Sequence, residues 1–116
     1  MKDWTPIRER YLRDSLPVRL GGLAANLSRI KSFSANDASR ETVASLIDES
    51  KMFIEWTAAQ VEIHTAEKLV ELQVQLACWQ LGWDRIWPDL AKRGQLAEQS
   101  ADWSKQVLEI SGLLNR

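Results

Sequence analysis

The feature that most constrains this sequence is a long run, residues 38–81, that contains neither glycine nor proline. Alanine, glutamate, leucine, glutamine and lysine dominate the run, and these residues are favourable in helices. The helical pattern continues to Trp87, where Pro88 and Asp89 end it. The sequence therefore predicts one continuous helix, Ala38–Trp87, which at 1.5 Å per residue would be about 75 Å long.

The same run also contains a signal for a break. Thr57-Ala58-Ala59-Gln60 has the form of a capping box, with Trp56 and Val61 placed as a hydrophobic staple. No residue there favours the positive φ angle that a tight turn between helices usually needs, so the sequence favours the continuous helix. The apolar stripe changes phase between Val61 and Leu69, and a break would fall near Thr57–Thr65.

Shorter helices are predicted on both sides of the run. Thr5 and Pro6 start a short helix, about Pro6–Asp14. Leu16-Pro17 then redirects the chain before a helix near Pro17–Ser32.

After the loop at residues 32–37, Asn36 or Asp37 should cap the long helix. The final helix is expected from about Asp89 or Gln95 to Leu113. The predicted fold class is all-α, a helical bundle around one unusually long central helix. It forms a single domain, residues 1–116, in which residues 1–15 are a short N-terminal helical arm and residues 16–116 the bundle.

The predicted long helix carries apolar residues on two opposite sides. The flanking helices, together about 60 Å long, cover one side. The other side would be a large exposed apolar patch in a monomer, so we predict a homodimer that completes the bundle. The candidate interface residues are Met52, Trp56, Ile63, Val70, Val74 and Leu81.

Three tryptophans, Trp79, Trp83 and Trp87, stand four residues apart on one predicted helix face. Core packing is the favoured interpretation, because they share a stripe with leucine and isoleucine residues. The alternative is a small-ligand or pigment site at this tryptophan-rich face.

The N-terminal arm combines basic and aromatic residues. Residues 1–36 hold seven basic and three acidic side chains, although the whole chain has a net charge of -1. Aromatic and arginine residues are common interface anchors. The candidate docking residues for a protein partner are Trp4, Ile7, Arg8, Tyr11 and Arg13; the alternative is a short helix that closes the end of the bundle.

Several chemistries lack their required residues. The single histidine, His64, cannot supply a two-histidine metal site, and the single cysteine, Cys78, cannot form an internal disulfide. We find no phosphate-binding loop and no nucleophile motif, and the pI of about 5.8 disfavours a nucleic-acid binder. We therefore expect no enzyme activity, no cofactor, no transmembrane segment and a cytoplasmic location.

Five parts of the chain carry a resemblance to known proteins: residues 53–62 (FIEWTAAQVE), 69–73 (LVELQ), 78–81 (CWQL), Trp87 and 111–115 (SGLLN). They resemble small uncharacterised helical proteins of cyanobacteria. The resemblance covers roughly residues 16–115 and implies an all-helical fold without an assigned activity. The expected function is a non-enzymatic scaffold or adaptor that acts through protein–protein interaction, with small-ligand binding as the alternative.

Overall fold

The computed structural model describes residues 2–115, and within them all regular structure is helical. Six α-helices follow one another: α1 Thr5–Leu12, α2 Leu16–Phe33, α3 Arg40–Thr57, α4 Ile63–Leu81, α5 Trp83–Ile86 and α6 Leu90–Ser111. Short 3₁₀ turns occupy Asp37–Ser39, Ala58–Gln60 and Leu113–Asn115. The all-α prediction is confirmed.

The four long helices α2, α3, α4 and α6 form an antiparallel bundle around one core. On one side α2 packs closely on α6, because Ser100 Oγ donates to the carbonyl of Leu27 and Ser104 Oγ to that of Ala24, each at 2.7 Å. On the other side α3 and α4 form a hairpin. The fully buried aliphatic residues of the core are Leu23, Leu27, Ile30, Val43, Ile47, Leu69, Leu72, Leu76, Leu96 and Val107.

The prediction of a continuous helix Ala38–Trp87 is wrong, because the chain reverses between α3 and α4. After the Ala58–Gln60 turn, Val61 and Glu62 are extended, each with ψ of 164°. The Glu62 carboxylate accepts hydrogen bonds from the backbone N–H groups of His64 at 3.0 Å and Thr65 at 2.6 Å. These bonds satisfy N–H groups that a new helix leaves without partners.

The break lies where the apolar stripe changes phase, but its cap is Glu62 and not Thr57. The Thr65 hydroxyl and the N–H groups of His64 and Thr65 lower the pKa of Glu62, so this cap is ionised at neutral pH. The reversal folds the two halves of the predicted long helix onto each other. The Cα radius of gyration is 13.9 Å, close to the value of about 13 Å expected for one compact domain of this length.

The predicted end at Trp87 is also wrong, because α4 ends at Leu81 and Gly82 separates it from the short helix α5. Other predicted helix boundaries agree with the structure. Asn36 caps the Asp37–Ser39 turn by accepting from the N–H of Ala38 at 2.9 Å. Asp89 caps α6 by accepting from the N–H groups of Ala91 and Lys92. Gly112, with φ of 84°, ends α6 in the left-handed conformation that favours glycine.

Gly94 provides a test of this description of α6. It lies inside the helix, and a Cβ atom added there meets nothing within 4 Å. We expect Gly94→Ala to raise the free energy of unfolding by about 1 kcal/mol, because alanine is the better helix former. Gly112→Ala should lower it by about 1 kcal/mol, because its backbone conformation disfavours a side chain. Urea denaturation of both variants measures the two effects, and equal signs would contradict the assigned end of α6.

Candidate interaction surface

Helix α4 carries apolar side chains on two opposite faces. Its inner face consists of Leu69, Leu72, Leu76 and Trp79, which are all buried in the core. Its outer face consists of four side chains that point about 180° away when residues are placed at 100° intervals. We call these four the α4 outer face: Ile63, Val70, Val74 and Leu81, which are 69, 56, 58 and 86% exposed.

The α4 outer face is narrow, straight and flanked by charge on one side. Its four members fall within a sector of about 40°, and they extend along about 27 Å of helix. Glu67 and Glu71 are exposed beside it, and Lys68 Nζ lies 3.4 Å from Glu71 Oε2. The exposed thiol of Cys78 also lies beside this face. Single exposed apolar residues are ordinary, but an aligned row of them is typical of a contact surface.

The other two of the six predicted dimer-interface residues, Met52 and Trp56, are partly covered by the same chain. Trp56 is half-buried, and its ring lies 6.1 Å from that of Trp4 and 6.0 Å from that of Tyr11. Met52 is also half-buried. The six predicted interface residues therefore do not form one continuous surface, because the chain reversal puts Met52 and Trp56 on α3, where α1 packs. Ile63, Val70, Val74 and Leu81 are the exposed part.

The N-terminal arm packs its apolar face on α3. The Tyr11 ring stacks on Phe53 with a centroid distance of 3.9 Å and an interplanar angle of 8°. Trp4 and Ile7 are half-buried, and Tyr11 is buried, so Tyr11 is not available to a partner. Arg8 and Arg13 are exposed, and their role in docking stays a prediction.

A buried arginine, Arg19, joins three segments of the chain. The Arg19 guanidinium donates to the carbonyls of Asp14 at 2.8 Å and Leu12 at 3.0 Å, and to Gln60 Oε1 at 2.8 Å. The Tyr11 hydroxyl donates to the Arg19 carbonyl at 2.8 Å. Arg19 thus connects the end of α1 to the reversal between α3 and α4. The sequence gives no signal for it, because the partners lie on separate segments.

A second buried arginine, Arg93, contacts one of the tryptophans. The Arg93 guanidinium lies 4.6 Å from the Trp87 ring centroid and is paired with Asp37. Its position three residues before Leu96 on the apolar stripe of α6 is a signal that could have identified it. Trp79 and Trp87 are buried, and Trp83 is half-buried, 5.3 Å from the Trp87 ring centroid.

Beside Trp79 the surface has an open cleft of about 340 Å³. Arg85, Lys92, Gln95 and Gln99 are among its lining residues, whereas Trp83 and Trp87 are not. The predicted three-tryptophan ligand face is therefore divided. One ring lines a cleft, and the other two pack against each other.

Residues 2–115 contain no cluster of histidine, cysteine, aspartate or glutamate side chains that could hold a metal ion. In the same part of the chain, none of the helices combines the length and apolar character needed to cross a membrane. No protein-family model, curated protein or solved structure matches the chain. The resemblance to cyanobacterial helical proteins stays a prediction.

The buried hydroxyl of Tyr11 makes stability depend on pH. Burial raises the pKa of Tyr11 to about 12 from the usual 10. The neutral phenol is therefore favoured in the folded state, and this contribution is complete below pH 10 and is lost as the pH rises towards 12. We expect the free energy of unfolding to fall by about 1.3 kcal/mol between pH 9 and pH 11 through this group.

Tyr11→Phe is the matched variant, since Tyr11 is the only tyrosine of the chain. It should be less stable than the wild type at pH 9, because the Arg19 carbonyl loses its donor. Its stability should fall less steeply from pH 9 to pH 11. Urea denaturation at both pH values measures the difference, and parallel pH profiles would contradict the burial of this hydroxyl.

Proposed function

We propose that this protein is a non-enzymatic helical scaffold or adaptor that acts through protein–protein contact at the α4 outer face. The observation that carries the proposal is the row of Ile63, Val70, Val74 and Leu81, each more than half exposed on a helix whose other face is already buried. A helix that is apolar on two sides is suited to a partner on its second side.

We propose further that the protein is a homodimer and that the α4 outer face is its interface. The fold supports a smaller interface than the six-residue stripe, because α1 packs over Trp56. The exposed Arg8 on α1 and Arg13 just after its end are left for a different protein partner. An exposed, unpaired Cys78 suits a reducing compartment, so we place this function in the cytoplasm.

The dimer is tested by placing charge in the middle of the α4 outer face. We expect Val70→Glu with Val74→Glu to convert a dimeric mass into a monomeric one. The new carboxylates would lie beside Glu67 and Glu71 and would have to be desolvated against a second chain. Light scattering and sedimentation at micromolar protein concentration measure the mass.

The matched control is Ser28→Glu with Ser32→Glu on α2. It adds the same charge at two exposed helical positions away from α4, and it should keep the dimeric mass. Circular dichroism should show unchanged helix content in both variants, since glutamate is favourable in helices. A wild-type protein that is monomeric at tens of micromolar would refute the dimer.

The second candidate function is small-ligand binding, which the cleft beside Trp79 supports. Arg85 and Lys92 line this cleft, so an anionic ligand fits its charge. Native mass spectrometry of the purified protein would detect a retained molecule. Its loss in Arg85→Ala with Lys92→Ala, at unchanged melting temperature, would favour this function. Retention of the molecule by that variant would count against the cleft as its site.

A further inference from the structure

The α4 outer face is spaced symmetrically about the middle of its helix. Val70 and Val74 lie two residues on either side of Leu72, and Ile63 and Leu81 lie nine residues on either side. When two α4 helices are laid antiparallel with a two-fold axis at the level of Leu72, Val70 of one chain faces Val74 of the other. Ile63 likewise faces Leu81. Each residue of the α4 outer face therefore meets an apolar residue of an identical chain.

The spacing also matches the seam of a coiled coil. Positions 63, 67, 70, 74, 77 and 81 alternate by four and three residues, the repeat with which paired helices interlock their side chains. Two of these positions, Glu67 and Ala77, are not large apolar residues. They distinguish the two possible directions of a second helix.

In a parallel pair, two Glu67 carboxylates would face each other across the apolar seam, where like charges repel strongly. In an antiparallel pair, each Glu67 lies opposite Ala77, which is small and half-buried. The glutamate stem then has room to lie along the seam while its carboxylate reaches water at the rim. The two Glu67 residues are separated by ten helical positions, about 15 Å.

One like-charge contact is specific to the antiparallel arrangement. Glu71 lies beside the seam one residue from the axis, so the two copies of Glu71 approach each other. Lys68 of the same helix lies 3.4 Å from each Glu71 carboxylate and offsets part of this repulsion. Both Glu71 side chains are exposed to solvent, which screens the remainder.

We propose that two copies of this protein associate antiparallel through the α4 outer face, around a two-fold axis at the level of Leu72. This inference rests on the proposed function, and it adds the direction and the register of the second copy. A second copy is the partner that fits, because the apolar row is complementary to itself and because the charge at Glu67 is accommodated in one direction only.

Disulfide trapping tests the direction. In a Cys78→Ser background, Ile63→Cys and Leu81→Cys are made separately, and one of them carries a mass tag. Two cysteines are linked only when their Cα atoms are within about 7 Å, whereas positions 63 and 81 lie about 27 Å apart along α4. After mild oxidation of the mixed variants, we expect a tagged–untagged disulfide on non-reducing gels. Its yield should be at least ten-fold above the disulfide yield of either variant alone.

The possible outcomes are distinct. Disulfides formed by each variant alone would establish a parallel pair and overturn the antiparallel proposal while leaving the homodimer intact. A dimeric mass of the Cys78→Ser parent without any specific disulfide would overturn the α4 interface. A monomeric parent would overturn the proposed homodimer itself. Glu98→Cys, at an exposed position on α6, is the control for random collision and should not be linked above background.

Discussion

The reversal between α3 and α4 is the constraint on which the rest of the structure depends. It is held by the Glu62 carboxylate, which caps the first turn of α4, and by Arg19, which donates to Gln60 from the neighbouring helix α2. With this reversal, the inner faces of α3 and α4 meet α2 and α6 around one core. Without it, no helix of this chain could cover the whole length of the apolar stripe, because α2 and α6 are only 18 and 22 residues long.

The sequence predicted the helix starts that Asn36 and Asp89 cap. It failed at residues 58–62 because Ala58, Ala59 and Gln60 are all good helix formers and no glycine or proline marks the turn. There, burial of two apolar helix faces outweighs a local preference of a few tenths of a kcal/mol per residue. Two local signals in the sequence marked this region: the phase change between Val61 and Leu69, and the capping-box pattern at Thr57–Gln60.

Part of the candidate surface was also predictable from the sequence, because its residues lie close together in the chain. Ile63, Val70, Val74 and Leu81 share one helix, so their common face follows from helical geometry alone. The partial burial of Trp56 does not follow from helical geometry, because its ring lies against Trp4 and Tyr11, which are more than 40 residues earlier in the chain. The stacking of Tyr11 on Phe53 and the contacts of Arg19 depend equally on long-range packing. Such contacts join segments whose own patterns carry no information about each other.

The reversal also limits the length of the apolar surface that α4 can offer to a partner. A continuous helix would have offered a seam of about 75 Å, whereas α4 offers about 27 Å between Ile63 and Leu81. Stable interfaces bury roughly 800 Å² on each partner, and four aliphatic side chains on one helix provide only part of that area. On the proposed arrangement, association through α4 is therefore concentration-dependent and reversible. Dissociation of an interface of this size does not require unfolding of the bundle.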